Sequence, residues 1–495
     1  MTEPRAPQRA PDRAGPTGAR SPAPLRVALA AVLVGALALT GCAGGRGSAG
    51  AAGARPVVTV WADDQRAAAL QDFARTFGEK YGARVSVQAV SKDLQTTFVT
   101  ASQAGEGPDV VVGANDWIGN LVQNGAIDPV RLSTRQRDSL EPRAVQAVTF
   151  NGQTYAMPYA LENVALIRNT RLVPDAPDTI EEAVATGQRL KKEGRVSEIM
   201  SVPVGQAGDA YHAYALYSSA GGYLFGQDAQ GEYNPAALGL GTEASVRALE
   251  KFRALGEKGA GALKRTIGAD NAIPTFTTGK APFLISGPWA VPDIRKAGIP
   301  YDIQAVPRFE GTRTKGGPFI GVQAFYVAAK AKNKALAQEF VAQAGGSERT
   351  AIALTEANPR PPALKAALAH FKDSNPDLRK FLDAGADGVI QPAIPQMNVV
   401  WDPFGKAEAA IIGGAPVRST VVSLTRAVAG QIGLDPDKAI RLPDSDDGRG
   451  FPDSDDGRGF PDSDDGRGFP DSDDGKGVSD PHDGTGFPRP HDGKD

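Results

Sequence analysis

Val57-Val58-Thr59-Val60-Trp61 is the stretch on which the fold turns. Four β-branched residues followed by an aromatic one read as a buried strand. Outward from it, Leu70, Phe73, Ala74, Phe77 and Tyr81 fall at helical spacing and Gly82 closes the run. Arg84 to Val90 then alternates Val85, Val87 and Ala89 as a second strand, and Leu94, Phe98 and Ala101 mark a second helix. After Gly107-Pro108-Asp109 comes a third strand, Val110-Val111-Val112. Strand, helix, strand, helix, strand requires crossover connections, so the sequence predicts an α/β fold with a mostly parallel sheet and helices on its faces.

The theme continues less regularly. Ala165-Leu166-Ile167 reads as a short strand, and Ile180, Ala183, Val184 and Leu190 as a helix ended by Gly194. Thr242 caps a helix carrying Val246, Leu249 and Phe252. Ala281-Pro282-Phe283-Leu284-Ile285 and Ala324 to Ala328 return as strands, and Lys334 to Ala344 as a helix. Helical periods run on to about Gly433. That is too much structure for one sheet, so two lobes are expected.

The ends differ from this body. Arg5, Arg9, Arg13, Arg20 and Arg26 precede Val27 to Leu39, an apolar run of 13 residues, and the run leads into Leu39-Thr40-Gly41-Cys42. This is the pattern of an export signal over residues 1–41, too short for a spanning helix of about 20 apolar residues. Leu-x-Gly-Cys resembles a bacterial lipobox, which implies cleavage before Cys42 and lipid on its sulfur, followed by a flexible tether over residues 42–55. From Pro443 the unit Pro-Asp-Ser-Asp-Asp-Gly-Arg-Gly-Phe recurs with a period of nine. Residues 443–495 carry 16 Asp against 6 Lys and Arg, and read as a disordered acidic tail. A calcium loop fits its spacing poorly, since Gly448 falls fifth and the tail has no Glu.

The whole chain has 495 residues and a net charge of −3, so the part before the tail carries +7, without a block basic enough for nucleic acid. One Cys and four His, two of them His482 and His491 in the tail, leave little for a disulfide, a metal or Cys-His catalysis. Phosphate loops, nucleophile elbows and zinc helices are missing from the sequence. No cofactor is expected.

What the body has is rings beside acids and amides. The segments are Trp61-Ala62-Asp63-Asp64-Gln65-Arg66, Ala114-Asn115-Asp116-Trp117, Glu162-Asn163, Asp209-Ala210-Tyr211, Ser286-Gly287-Pro288-Trp289 and Asn398-Val399-Val400-Trp401-Asp402. A sugar offers apolar C–H faces and a rim of hydroxyls; rings cover the first, and carboxylates or amides take the second. Taken singly, each residue is as readily core, cap or turn.

In order, Val60-Trp61, Gly107-Pro108-Asp109, Gln123-Asn124-Gly125, Pro158-Tyr159-Ala160-Leu161-Glu162, Ala220-Gly221-Gly222-Tyr223, Gly287-Pro288-Trp289, Pro318-Phe319-Ile320-Gly321-Val322 and Ile394-Pro395-Gln396-Met397 leading to Trp401 resemble the family 1 extracellular solute-binding proteins of ABC importers, near the maltose/maltodextrin-binding branch. The resemblance implies a two-lobed, type II periplasmic-binding-protein-like α/β fold with hinge-linked lobes around a ligand cleft. It implies lobe 1 from residues 56–161 and 325–368, and lobe 2 from 162–324 and 369–435. It assigns Trp289, Trp401 and Tyr211 as stacking rings, Glu162, Asp116 and Asp209 as hydroxyl acceptors, and Arg66 with neighbouring Asp64 as further contacts. The implied partners are an oligosaccharide, the permease subunits and, through Cys42, the outer face of the cell membrane; the receptor is expected to be monomeric and not an enzyme.

The sequence departs from that branch at four places. Gly113 stands where a ring is usual, Trp117 and Gly405 where an Arg is usual, and Gln65 where an Asp is usual. Trp117 is therefore a candidate replacement ring. Two other readings remain open at this point: the same fold binding another solute or feeding a sensor, and a secreted glycosidase pairing Glu162 with Asp116.

Overall fold

The structure, a computed structural model, describes residues 55–443 apart from Gln230 and residues 313–315. Cys42, the export signal, the tether up to residue 54 and the tail from residue 444 lie outside the described residues. Strand β1 (Val57–Ala62) alternates, with Val58, Val60 and Ala62 buried. A short helix the periodicity does not show, α1 (Asp64–Ala69), precedes the expected one, α2 (Gln71–Tyr81), which Gly82 ends at φ 62°, a left-handed position that favours glycine. β2 (Arg84–Ala89), α3 (Leu94–Ala104) and β3 (Val110–Ala114) follow in the predicted order. β1 pairs parallel with both β2 and β3. Asp109 locks this half together: its carboxylate accepts the Thr59 N–H at 2.8 Å and the Asn333 N–H at 3.1 Å.

Beyond β4 (Ile127–Asp128) the chain enters β5 (Met157–Glu162), buried throughout, and passes directly to β6 (Ala165–Asn169). Leu161 lies in the core of the first sheet, while Val164 lies in a second core. The second core is built on α4 (Ile180–Lys192), α5 (Ala210–Ser219) and α6 (Glu243–Leu255). Its sheet sets β6 between β7 (Phe283–Ser286) and β8 (Tyr301–Gln304), all antiparallel. Strand alternation feeds both faces of that sheet: Leu166, Phe283 and Ile285 enter the second core, while Ile167 and Leu284 enter a smaller cluster behind it.

β9 (Phe319–Ala328) then returns to the first sheet, antiparallel to β3 and β5. The sheet is therefore mixed, with parallel pairing around β1 and antiparallel pairing around β9. Phe319 still belongs to the second core and Ile320 to the first, so this strand passes from one core to the other. Helix α7 (Lys334–Gly346) covers the first core, and the short strand β10 (Val389–Ile390) pairs with the start of β9. α8 (Trp401–Ile412) and α9 (Val417–Gln431) complete the second core. No helix among the described residues is long and apolar enough to cross a membrane.

Candidate functional site

The end of β3 delivers the 3₁₀ turn Asn115–Trp117. Asn115 is fully buried; its amide donates to the Gln391 carbonyl at 3.1 Å and accepts the Val322 N–H at 2.9 Å, pinning the turn between β9 and the segment after β10. Asp116 is thereby held only 9% exposed. Burial, reinforced by the charge of Glu162, raises its pKa to about 7 against opposing contributions from its own backbone, Gln391 and Trp401. The Trp117 ring lies on Gly113, where an added Cβ would stand 2.0 Å from the ring. The two departures are thus one exchange: the missing side chain at Gly113 makes room for the Trp117 ring.

Glu162 closes β5. It accepts the Gln323 amide at 2.9 Å and forms a buried ion pair with Arg360 Nε. Burial pushes the Glu162 pKa up, but the charge and hydrogen bond of Arg360, with Gln323 and Arg66, outweigh it and hold the carboxyl below its ordinary range. Arg66, 11% exposed, pairs with Asp63 at 2.8 Å. Asp63 also caps α1 by accepting the Arg66 N–H. Asp64 is exposed and makes no hydrogen bond or ion pair among the described residues, so Asp63 is the carboxylate that holds Arg66.

On the side of the second core, Asp209 caps α5: one oxygen accepts the His212 N–H at 3.1 Å and the other lies 2.8 Å from His212 Nδ1. Burial raises its pKa, yet the hydrogen bonds and charge of His212 prevail and lower it. Tyr211 stands 6.3 Å from Trp289 and 6.4 Å from Phe319, ring to ring. Burial and the field of Glu162 raise the Tyr211 pKa, and Arg360, Asp116 and Asp209 act on it too. Arg360 Cζ, 5.4 Å from the Trp289 ring centroid, brings both sides to one place. Trp289 sits on the 3₁₀ turn Pro288–Ala290 with its ring over Gly287, where a Cβ would meet it at 2.2 Å. Trp401 begins α8 and meets Phe319 edge-on at 5.7 Å. Gly405 lies under the loop bearing Gly208: a Cβ on Gly405 would stand 3.0 Å from the Ala207 carbonyl oxygen, and a Cβ on Gly208 (φ 81°) would fall 1.8 Å from the Gly405 carbonyl oxygen.

Among the described residues, ten buried side-chain polar atoms lack a hydrogen-bond partner, and five of them are here: Arg66 Nε, Asp116 Oδ1, Tyr211 Oη, Gln323 Oε1 and Arg360 Nη1. Buried polar groups are normally paired, and half of the unpaired ones among the described residues gather in this region. It offers two donors, two acceptors and a hydroxyl that serves as either, next to aromatic faces. Arg360, Gln323, Gln391 and His212 were not singled out by sequence. Gln323 did leave a trace, as the one amide inside the otherwise apolar Phe319–Ala328.

The family described as Bacterial extracellular solute-binding protein matches residues 72–380. The chain is 26% identical over 383 residues to the galactooligosaccharide-binding protein of Bacillus subtilis, covering 76% of this chain and 89% of that one. It is 26% identical over 377 residues to the maltodextrin-binding protein of the same organism, covering 74% and 87%. The solved structure of the Thermus thermophilus maltotriose-binding protein with maltotriose superposes with a TM-score of 0.67 at 28% identity, covering 76% of this chain and all of that one. With more than half its length matched and a two-lobed architecture to go with it, the chain belongs to the bacterial extracellular solute-binding proteins.

Proposed function

We propose that this chain is the substrate-receiving component of an ABC sugar importer, binding a maltodextrin or a related oligosaccharide between its lobes and presenting it to the permease subunits. The observation that carries the reading is the set of five unpartnered buried donors and acceptors beside Tyr211, Trp289 and Trp401. Sugar hydroxyls act as donor and acceptor at once and would satisfy both kinds, while C–H faces lie on the rings. Galactooligosaccharide and maltotriose, the ligands named for the related proteins, share this chemistry. Lobe 1 comprises residues 56–161 and 325–368 and lobe 2 residues 162–324 and 369–435, and closure is a hinge motion over the crossing strands. Acylation of Cys42 tethers the monomeric receptor to the outer face of the membrane.

Binding without catalysis is the reading adopted. Asp116 and Glu162 titrate in opposite directions, a feature glycosidases also use. Reducing-sugar release from maltotriose after prolonged incubation decides between them: none is expected, and release abolished in Glu162→Gln would establish a hydrolase. The binding claim itself is tested by thermal shift over a library of maltose, maltotriose, galactooligosaccharides and cyclodextrins. Ligand at 100 times its Kd adds about 2.7 kcal/mol of stability. A library that leaves the melting temperature unmoved would refute a sugar ligand of this kind.

A further inference from the structure

Arg360 lies in Asn358-Pro359-Arg360-Pro361-Pro362, a segment with no other charged residue. Prolines fix φ and keep the preceding residues extended, so the segment runs as a strap along β5. The Leu161 N–H donates to the Pro361 carbonyl and the Ala363 N–H to the Tyr159 carbonyl, each at 2.8 Å. This sets Arg360 beside Glu162, the last residue of β5, with its side chain only 12% exposed.

From there the guanidinium faces three ways. Nε pairs with Glu162, on the sheet of the first core. Cζ stands 5.4 Å from the centroid of the Trp289 ring, which packs on the second core. Nη1 is buried and has no hydrogen-bond partner among the described residues. A structural ion pair with Glu162 would account for the first of these and leave the other two unexplained. A planar, forked cation can satisfy a carboxylate, a ring face and a ligand hydroxyl together, whereas an ammonium on a flexible stem cannot hold that geometry.

We infer that Arg360 is a specificity-determining residue that spans the cleft from Glu162 to Trp289 and donates an Nη1 N–H to a hydroxyl of the sugar bound against that ring. The inference rests on the sugar-binding reading for its ligand, but its span across the cleft can be examined without any sugar.

The test is a double-mutant cycle on the full chain. Arg360→Met alone leaves Glu162 buried and unpaired, so the melting temperature falls and affinity is confounded with folding. Arg360→Met combined with Glu162→Gln neutralises the pair and recovers most of the melting temperature. Calorimetric titration with maltotriose then compares that double variant with Glu162→Gln alone. At least tenfold weaker binding in the double variant is expected; equal affinities would show that Arg360 acts only through Glu162 and would overturn the inference. Arg360→Lys with Glu162 intact is expected to keep the melting temperature near the parent and still lose at least fivefold in affinity, and parental affinity would also overturn it. Acrylamide quenching of tryptophan fluorescence without ligand separates this result from failure of the sugar reading. The double variant should be quenched more than Glu162→Gln, and the difference should vanish in a Trp289→Phe background. Equal quenching would contradict the contact across the cleft whether or not any sugar binds.

Discussion

The two sides of the cleft are built on different physics. The side belonging to the first sheet carries charge: Asp116 on the turn after β3, Glu162 at the end of β5, Gln323 in β9, with Arg66 and Arg360 set among them. Its groups are aimed by strands and by buried hydrogen bonds such as those of Asn115. The facing side carries Tyr211, Trp289 and Trp401, seated on the second core and on backbone left open by Gly287, and its carboxylate Asp209 is engaged by His212. In the proposed sugar complex the first side would read hydroxyl positions, because an unmatched buried polar group is costly, and the other would supply contact to apolar sugar faces. Under that proposal, ligand identity would rest mainly on the charged side and contact area on the aromatic one.

This contrast breaks most visibly at Arg360. Its replacement by Ala removes one member of a buried pair, and about 3 kcal/mol of stability should be lost, as read from urea unfolding near neutral pH. A loss below about 0.5 kcal/mol would show the pair to be solvated, as surface pairs are. On the aromatic side the comparable weak point is backbone contact. Gly208→Ala forces a Cβ into the Gly405 carbonyl at a left-handed position and should cost about 1–3 kcal/mol in the same measurement, with sugar affinity impaired through the displaced start of α8.

Trp289→Ala and Trp401→Ala should each weaken maltotriose binding by about 1 kcal/mol or more, roughly tenfold at the upper end, with similar losses for different sugars. Trp117 packs on the first core and on Gly113, so Trp117→Ala tests whether the charged side also owns a stacking ring. An affinity loss matching that of Trp289→Ala would blur the division between the sides.

The pH response separates the two acids of the charged side. Asp116 binds its proton more tightly folded than unfolded, since its pKa is raised from 3.8 to about 7. Stability from this group falls as pH rises between those values, with a slope of at most about 1.4 kcal/mol per pH unit. Glu162 has the opposite sign: its lowered pKa contributes stability above its ordinary titration range, lost as acid protonates it in the fold. Asp116→Asn should flatten the decline between about pH 4 and 7 and leave the acid limb in place. Denaturation midpoints across that range check it. The smallest effect belongs to Asp64→Ala, within about 0.5 kcal/mol of the parent in stability, because the side chain is exposed and makes no bond among the described residues.

Much of the framework was legible in the chain. β1, β2 and β3 announce themselves through β-branched runs separated by helical periods, with Gly82 at the end of α2. α5 carries no amphipathic signal in the sequence, because Ala210, Ala213 to Tyr217 and Ser219 are all buried and a helix buried nearly all round has no polar stripe. β9 was expected from Ala324, whereas the strand begins at Phe319, with Phe319 in the second core and Ile320 in the first. Gly321 and Gln323 disguised its first half, and Gln323 is polar because it serves Glu162. Arg360 was illegible for a different reason: 198 residues separate it from Glu162, and no local pattern carries a contact of that range.

Isothermal titration of the purified chain with maltotriose tests the central claim most directly. Saturable binding at one site per chain is expected, weakened at least tenfold when Trp289 and Trp401 are both replaced by Ala. Unchanged binding in that double variant, or no heat from maltotriose and from any other sugar of the library, would contradict it.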